Sequence, residues 1–250
     1  MTWFSYEVDG FGFQLFGVSH LLVILTLFLI VAFIFSIRNR LEKNRKLERS
    51  IRFSLAIILL LLEVTYHIWL LVNGRWEITY ALPLHLSSIT LVTAIFMLFT
   101  LNKRLFEFTF FAGVGSAFLT IITPDIGGFG FPHFRFFHFF MAHGLVIIAV
   151  IYLLFIRKFT LSLRTVWSNW LILNGYAFFV FSVNWLVGGN YMYLMQKPPS
   201  PSPFDWFGPW PYYIIVLQVV ALGLFFFMYG LYRIYDPYRK RSSCVRELED

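Results

Sequence analysis

The stretch from His133 to Ile156, HFRFFHFFMAHGLVIIAVIYLLFI, decides the fold class. About 20 predominantly apolar residues in helical form cross the hydrocarbon core of a bilayer, and this run exceeds that length with Arg135 as its only formal charge. It also carries His133, His138 and His143 in its first half. An ionisable side chain is costly to hold in hydrocarbon, so such residues point to function.

Six further apolar runs lie on either side of it: Gly17–Ser36, Phe53–Asn73, Leu82–Leu101, Leu105–Ile122, Val166–Val187 and Tyr212–Arg233. Together they predict an all-α polytopic membrane protein, a bundle of seven transmembrane helices. Gly113, Gly115 and Pro124 interrupt the fourth run in chain order. The composition agrees: 59% hydrophobic and 13% charged residues, with a mean hydropathy of +0.72. A soluble domain carries roughly 25% charged residues. The 32 Phe, 13 Tyr and 8 Trp suit lipid contact and interfacial belts.

The net charge of +7 is no nucleic-acid signature, because the basic residues gather in short segments between apolar runs. Of 20 Lys and Arg, 17 fall after the first, third and fifth runs or in the tail, against Arg75, Arg135 and Lys197 on the other side. The positive-inside rule then sets the N-terminus outside and the C-terminus in the cytoplasm. The opening MTWFSYEVDG has two acids and no Lys or Arg, so the first run reads as a retained span rather than a cleaved leader. Cys244 is alone, so no intramolecular disulfide is expected. The chain reads as a single seven-helix membrane domain over residues 1–250. Within it, 38–52 is a cytoplasmic basic loop, 190–211 an extracellular lid loop rich in proline and aromatics, and 234–250 a cytoplasmic tail.

All six histidines lie in or at the mouth of apolar runs. Glu63 and His67 are four residues apart near mid-bilayer, so they share a helix face. His85 begins the string HLSSIT, with Pro83 expected in the first helical turn and Ser87, Ser88 and Thr90 close behind. A hydroxyl is a weak nucleophile unless a base stands within reach. On the helix of the fifth run, Arg135, His138 and His143 fall within an arc of about 140°. Arg135 at a helix mouth suits a phosphate or carboxylate headgroup, or snorkels toward the surface. Asn174, Asn184 and Gln218 are further candidates for an internal polar network. The picture is a polar cavity open to the outer leaflet, with His67, His85, His138, His143 and Arg135 as its lining. The histidine spacing within the fifth run does not suit a metal on one helix, though a metal shared between helices stays open.

The strings LPLHLSS (82–88), TPDIGGFGFPHFRFFHFFMAHG (123–144) and NYMYLMQKPPSPSPFDWFGPWP (190–211) resemble the YwaF-type family of bacterial integral membrane proteins. That family is similar to the animal transmembrane protein 164 group and, more distantly, to the androgen-induced family of intramembrane fatty-acid-ester hydrolases. The resemblance implies acyl chemistry on lipids, with a nucleophile on one span and a histidine on another. It makes His143 the counterpart of the catalytic histidine. The nucleophilic cysteine aligns with either Leu84 or Ser87, and no span contains a cysteine. A direct transfer, with histidine as general base toward a lipid hydroxyl, needs no such nucleophile.

Three functions fit these residues. The first is an intramembrane lipid enzyme, an acyltransferase or ester hydrolase of the bacterial cytoplasmic membrane. His143 is then the base, Ser87 the nucleophile and His85 a second base or oxyanion donor. Arg135, His138, His67, Glu63 and Asn184 contact substrate. It calls for membrane lipids as partners, with no cofactor, no metal, no nucleic acid and no obligate protein partner. The second is a zinc-dependent lipid hydrolase using Glu63, His67 and histidines of the fifth run. The third is a transporter or binding protein for a lipid or other amphiphile.

Overall fold

The computed structural model describes residues 3–6, 12–199 and 202–235. Its long regular elements over these residues are helices: α1 (Val18–Lys43), α2 (Arg45–Val72), α3 (Leu86–Thr100), α4 (Lys103–Phe108), α5 (Gly115–Ile122), α6 (Phe134–Arg157), α7 (Leu163–Val187) and α8 (Tyr212–Tyr235). A π-helical segment, Thr109–Val114, joins α4 to α5 into one continuous rod. Among the described residues, six helices are long and apolar enough to cross a membrane. The chain is thus a multi-pass membrane protein. The third run in chain order, Leu82–Leu101, gives a shorter helix than expected, because α3 has 15 residues.

That shortening has a local cause. Pro83, expected in the first turn of α3, precedes the helix, and His85 is its extended N-cap residue. Leu82 donates its N–H to the Tyr191 hydroxyl at 2.8 Å, and the Tyr176 hydroxyl donates to the carbonyl of Leu84 at 3.0 Å. Both ties hold residues 82–85 in a non-helical turn, so the helix begins only at Leu86. A second difference concerns residues 38–52, expected as a basic loop. The segment is helical except at Asn44, whose side chain accepts the N–H of Leu47 and so caps α2. Its long basic side chains are no obstacle to helix, since Lys and Arg are good helix formers. Of the tail expected at 234–250, residues 236–250 with Cys244 lie outside the described residues.

Ion pairs and hydrogen bonds sort the helix ends into two groups. At one end, Lys158 pairs with Glu42 at 2.7 Å, Arg157 with Glu48 at 2.8 Å, and Arg52 donates to the carbonyl of Leu98. At the other, Phe134 donates its N–H to Trp3 at 2.8 Å, and Asn73 accepts that of Tyr6 at 3.1 Å. The C-terminal ends of α3 and α6 therefore both meet the start of α2, and the two helices run in the same direction.

The helix α6 lies at the centre of the bundle, buried along most of its length, whereas α1 and α8 turn nearly all their side chains outward. Gly113, in the π-helical segment, lets three elements close up. A Cβ there would stand 3.2 Å from Thr90 Cβ and 3.3 Å from Val146 Cγ1. The sequence marks this rod as broken, yet the glycines serve close approach within a continuous helix.

Candidate functional site

The six histidines separate by how many ring nitrogens the protein already uses. A carbonyl oxygen only accepts, and a backbone N–H only donates, so partners assign each tautomer. In His20, Nε2 donates to the carbonyl of Ile121 at 2.7 Å and Nδ1 accepts from Phe16 N at 3.0 Å. In His133, Nε2 donates to the carbonyl of Ser5 at 2.8 Å and Nδ1 accepts from Arg135 N at 3.0 Å, which caps α6. Both rings are saturated.

His138 and His67 are saturated too. His138 Nε2 donates to the carbonyl of Leu62 at 3.1 Å, while Nδ1 accepts from Arg135 Nη1 at 3.1 Å. His67 Nδ1 accepts from the indole of Trp76 at 3.2 Å, which leaves its proton on Nε2, 3.5 Å from Glu63 Oε1. Tyr66 binds the two groups together. Its ring stacks on His138 with centroids 4.9 Å apart, and the Arg135 guanidinium lies over it at 4.8 Å. The sequence reading missed Tyr66; nothing but its place on α2, one residue before His67, could have marked it.

His143 and His85 differ from the other four. His143 Nδ1 donates to the carbonyl of Phe139 at 2.7 Å, which leaves Nε2 as an unprotonated acceptor with no protein partner among the described residues. His143 sits deep within the bundle yet keeps part of its surface open. His85 has the opposite polarity. Its Nδ1 accepts the N–H of Met192 at 3.3 Å, so the proton resides on Nε2, which is free to donate. One ring is arranged as a base and the other as a donor.

The turn Tyr191–Tyr193 that holds His85 is itself held firmly. Asn184 is fully buried, donating to the carbonyl of Tyr191 at 2.9 Å and accepting its N–H at 2.8 Å. Asn184, expected to contact substrate, is therefore spent on the loop backbone. The Tyr191 hydroxyl donates to the carbonyl of Ile78 at 2.6 Å while accepting Leu82 N–H. Burial pushes that phenol above its ordinary pKa, which keeps it a donor. Met192 and Tyr193 both adopt positive φ, 57° and 54°. Non-glycine residues hold such angles only where their surroundings over-determine them, commonly at functional sites.

Ser87 lies in the first turn of α3, where no side chain caps the helix. The N–H groups of Leu86, Ser87 and Ser88 have no acceptor among the described residues, so they form a cluster of donors beside the Ser87 hydroxyl. Thr90 and Val146 meet at Gly113. One turn earlier on each helix, on the same faces, stand Ser87 and His143. Because α3 and α6 pack together and run in the same direction, Ser87 and His143 each lie one turn before this contact, with no hydrogen bond between them. Arg135 meets this group through His138, its Nη1 lying 3.1 Å from His138 Nδ1.

The arrangement does not fit a zinc site between helices. Among the described residues, no three His, Cys, Asp or Glu side chains come close enough to share an ion. The lone pair of His138 faces a guanidinium and that of His67 an indole N–H, so neither is offered to a metal. Of the remaining polar candidates, Asn174 bonds back to the carbonyl of Trp170 at 2.8 Å, within its own helix. Gln218 keeps a buried Oε1 without a partner among the described residues.

Residues 15–229 match the model of a family described as the TMEM164 family. No curated protein matches the chain, and no solved structure does.

Proposed function

The chain belongs to the TMEM164 family, and on that premise we propose that it is an intramembrane lipid-modifying enzyme. The reaction is acyl transfer or ester hydrolysis on a phospholipid or fatty-acyl substrate entering from the outer leaflet. The observation that carries this reading is the unprotonated Nε2 of His143, which has no hydrogen-bond partner among the described residues. In the proposed step, His143 Nε2 removes the Ser87 proton as Oγ attacks the ester carbonyl carbon. The oxyanion collects hydrogen bonds from the free N–H groups at the start of α3 and from His85 Nε2–H. Collapse breaks the ester C–O bond, and the imidazolium returns the proton to the departing alkoxide. A second hydroxyl, of a lipid or of water, then takes the acyl group from Ser87 with the same base. Arg135 holds the headgroup phosphate, while His138 and Tyr66 orient the guanidinium.

In the same reading the protein is a YwaF-type member of the bacterial cytoplasmic membrane. Its seven spans leave the N-terminus outside, and the 190–211 loop covers the site. The test is turnover of a phospholipid by the purified chain in liposomes, compared with His143→Ala. Removal of a positioned general base is expected to lower the rate by about 100- to 10,000-fold. Equal turnover by both proteins removes His143 as the base. Added lipid that is bound or moved but stays covalently intact would identify a transporter instead.

A further inference from the structure

A second feature lies at the opposite end of the bundle. The junction of α1 and α2 forms an open depression of about 770 Å³ lined by Asn39, Arg40, Lys43, Asn44, Arg45 and Lys46. No acidic side chain lines it. Both acids of this junction are committed elsewhere: Glu42 to Lys158 at 2.7 Å, and Glu48 to Arg52 at 3.3 Å and to Arg157 at 2.8 Å. The neighbouring cations are committed as well, Arg38 lying over the Phe35 ring at 3.7 Å and Arg49 over Phe53 at 5.2 Å. By contrast, the exposed side chains of Arg40, Lys43, Arg45 and Lys46 have no partner among the described residues. Four unpaired cations around one concavity, with the local acids drawn away, make a site for an anion rather than a uniformly basic surface.

We propose that this depression binds the phosphate of an anionic phospholipid headgroup. Guanidinium and ammonium groups together satisfy the oxygens of a phosphodiester. The amide of Asn44 adds a donor, since its oxygen already accepts Leu47 N–H. A lipid is favoured over free phosphate because the outward face of α1 runs apolar from the depression into the bilayer, with Phe28, Leu29 and Phe33 more than half exposed. An acyl chain can lie along that face while its headgroup occupies the depression. This site is remote from Ser87 and His143 and stands whether or not those residues perform acyl chemistry.

The experiment is native mass spectrometry of the full chain in detergent, offered equimolar phosphatidylglycerol and phosphatidylcholine with the same acyl chains. The wild type is expected to retain phosphatidylglycerol with roughly tenfold preference, given the usual attraction of Lys and Arg to anionic headgroups. The variant R40Q/K43Q/R45Q/K46Q should lose the preference. The variant R38Q/R49Q/R104Q/R164Q removes as much charge from the same end but spares the depression, and should keep it. Absence of preference in the wild type, or its equal loss in both variants, overturns the proposal. In a further arm, displacement of the lipid by low-millimolar inorganic phosphate overturns the lipid assignment in favour of a free anion.

Discussion

Arg135 donates through Nη1 to Nδ1 of His138 at 3.1 Å, so a guanidinium occupies the one lone pair that this buried imidazole offers. The other ring nitrogen is already donating to Leu62, so His138 has no capacity left for a proton or a metal. Its role is to aim Arg135. Replacing Arg135 with Gln deprives His138 of its donor, and a buried acceptor left unpaired destabilises by about 1–3 kcal/mol. The double variant R135Q/H138F removes both partners together and is expected to lose less than the sum of the single changes. Thermal unfolding of the purified proteins measures this, and strict additivity would show that the contact does not couple the two residues.

Ser87 and Ser88 are adjacent hydroxyls that the proposed chemistry treats differently. They point about 100° apart on α3, and Ser87 shares the Thr90 face that meets α6 at Gly113. Ser87→Ala should abolish turnover, whereas Ser88→Ala should retain most of it. A covalent acyl adduct should appear on Ser87 by mass spectrometry and vanish in His143→Ala. Full activity in Ser87→Ala would remove the acyl-enzyme and leave direct transfer by His143.

The apolar runs made the membrane class legible because lipid crossing imposes a length and a composition on each span. The pairing of His67 with Glu63 was legible for a related reason, as residues four apart on a helix face are neighbours. What stayed hidden depends on backbone groups brought in from other elements. The carbonyl of Leu62 that saturates His138 comes from another helix, and the N–H of Met192 that fixes His85 comes from more than a hundred residues away. A backbone donor leaves no residue-type signature in a sequence. Six histidines in apolar runs therefore look alike until their partners are known, and only then do His85 and His143 stand apart. The basic segment at 38–52 misled for a different reason. Its charge content suggested a loop, while its helix-forming residues needed just one capping asparagine to turn the chain.

Asn184 joins α7 to the turn Tyr191–Tyr193 through two hydrogen bonds to the backbone of Tyr191. In Asn184→Leu both backbone groups lose their partner in a buried setting, which destabilises by roughly 2–4 kcal/mol across the pair. The change should act first on the turn and through it on His85, whose tautomer depends on Met192. Limited proteolysis between residues 188 and 199 should accelerate. The ¹⁵N spectrum of His85 should also shift from a single Nε2-protonated form toward a mixture, while the signals of His133 and His138 hold. An unchanged His85 spectrum would show that the turn does not set its proton.

Gly113 tests the geometry that brings α3 and α6 together. An alanine Cβ at this position would stand 3.0 Å from Thr109 Cγ2, 3.2 Å from Thr90 Cβ and 3.3 Å from Val146 Cγ1, tighter than ordinary packing on three sides. Thr90 is tethered to the carbonyl of Ser87 and Thr109 to Thr93, so neither side chain can swing aside without breaking a hydrogen bond. The added methyl must therefore wedge the two helices apart, an overpacking that destabilises by about 1–3 kcal/mol. On the proposed chemistry the separation acts one turn away, at Ser87 and His143, so Gly113→Ala should reduce turnover while leaving the imidazole and hydroxyl chemically intact. Gly223→Ala on α8, where a Cβ would meet nothing within 4 Å, is the matched control and should leave turnover as it is. If Gly113→Ala turns over lipid at the wild-type rate while its unfolding midpoint falls, Ser87 and His143 do not depend on that contact for their alignment.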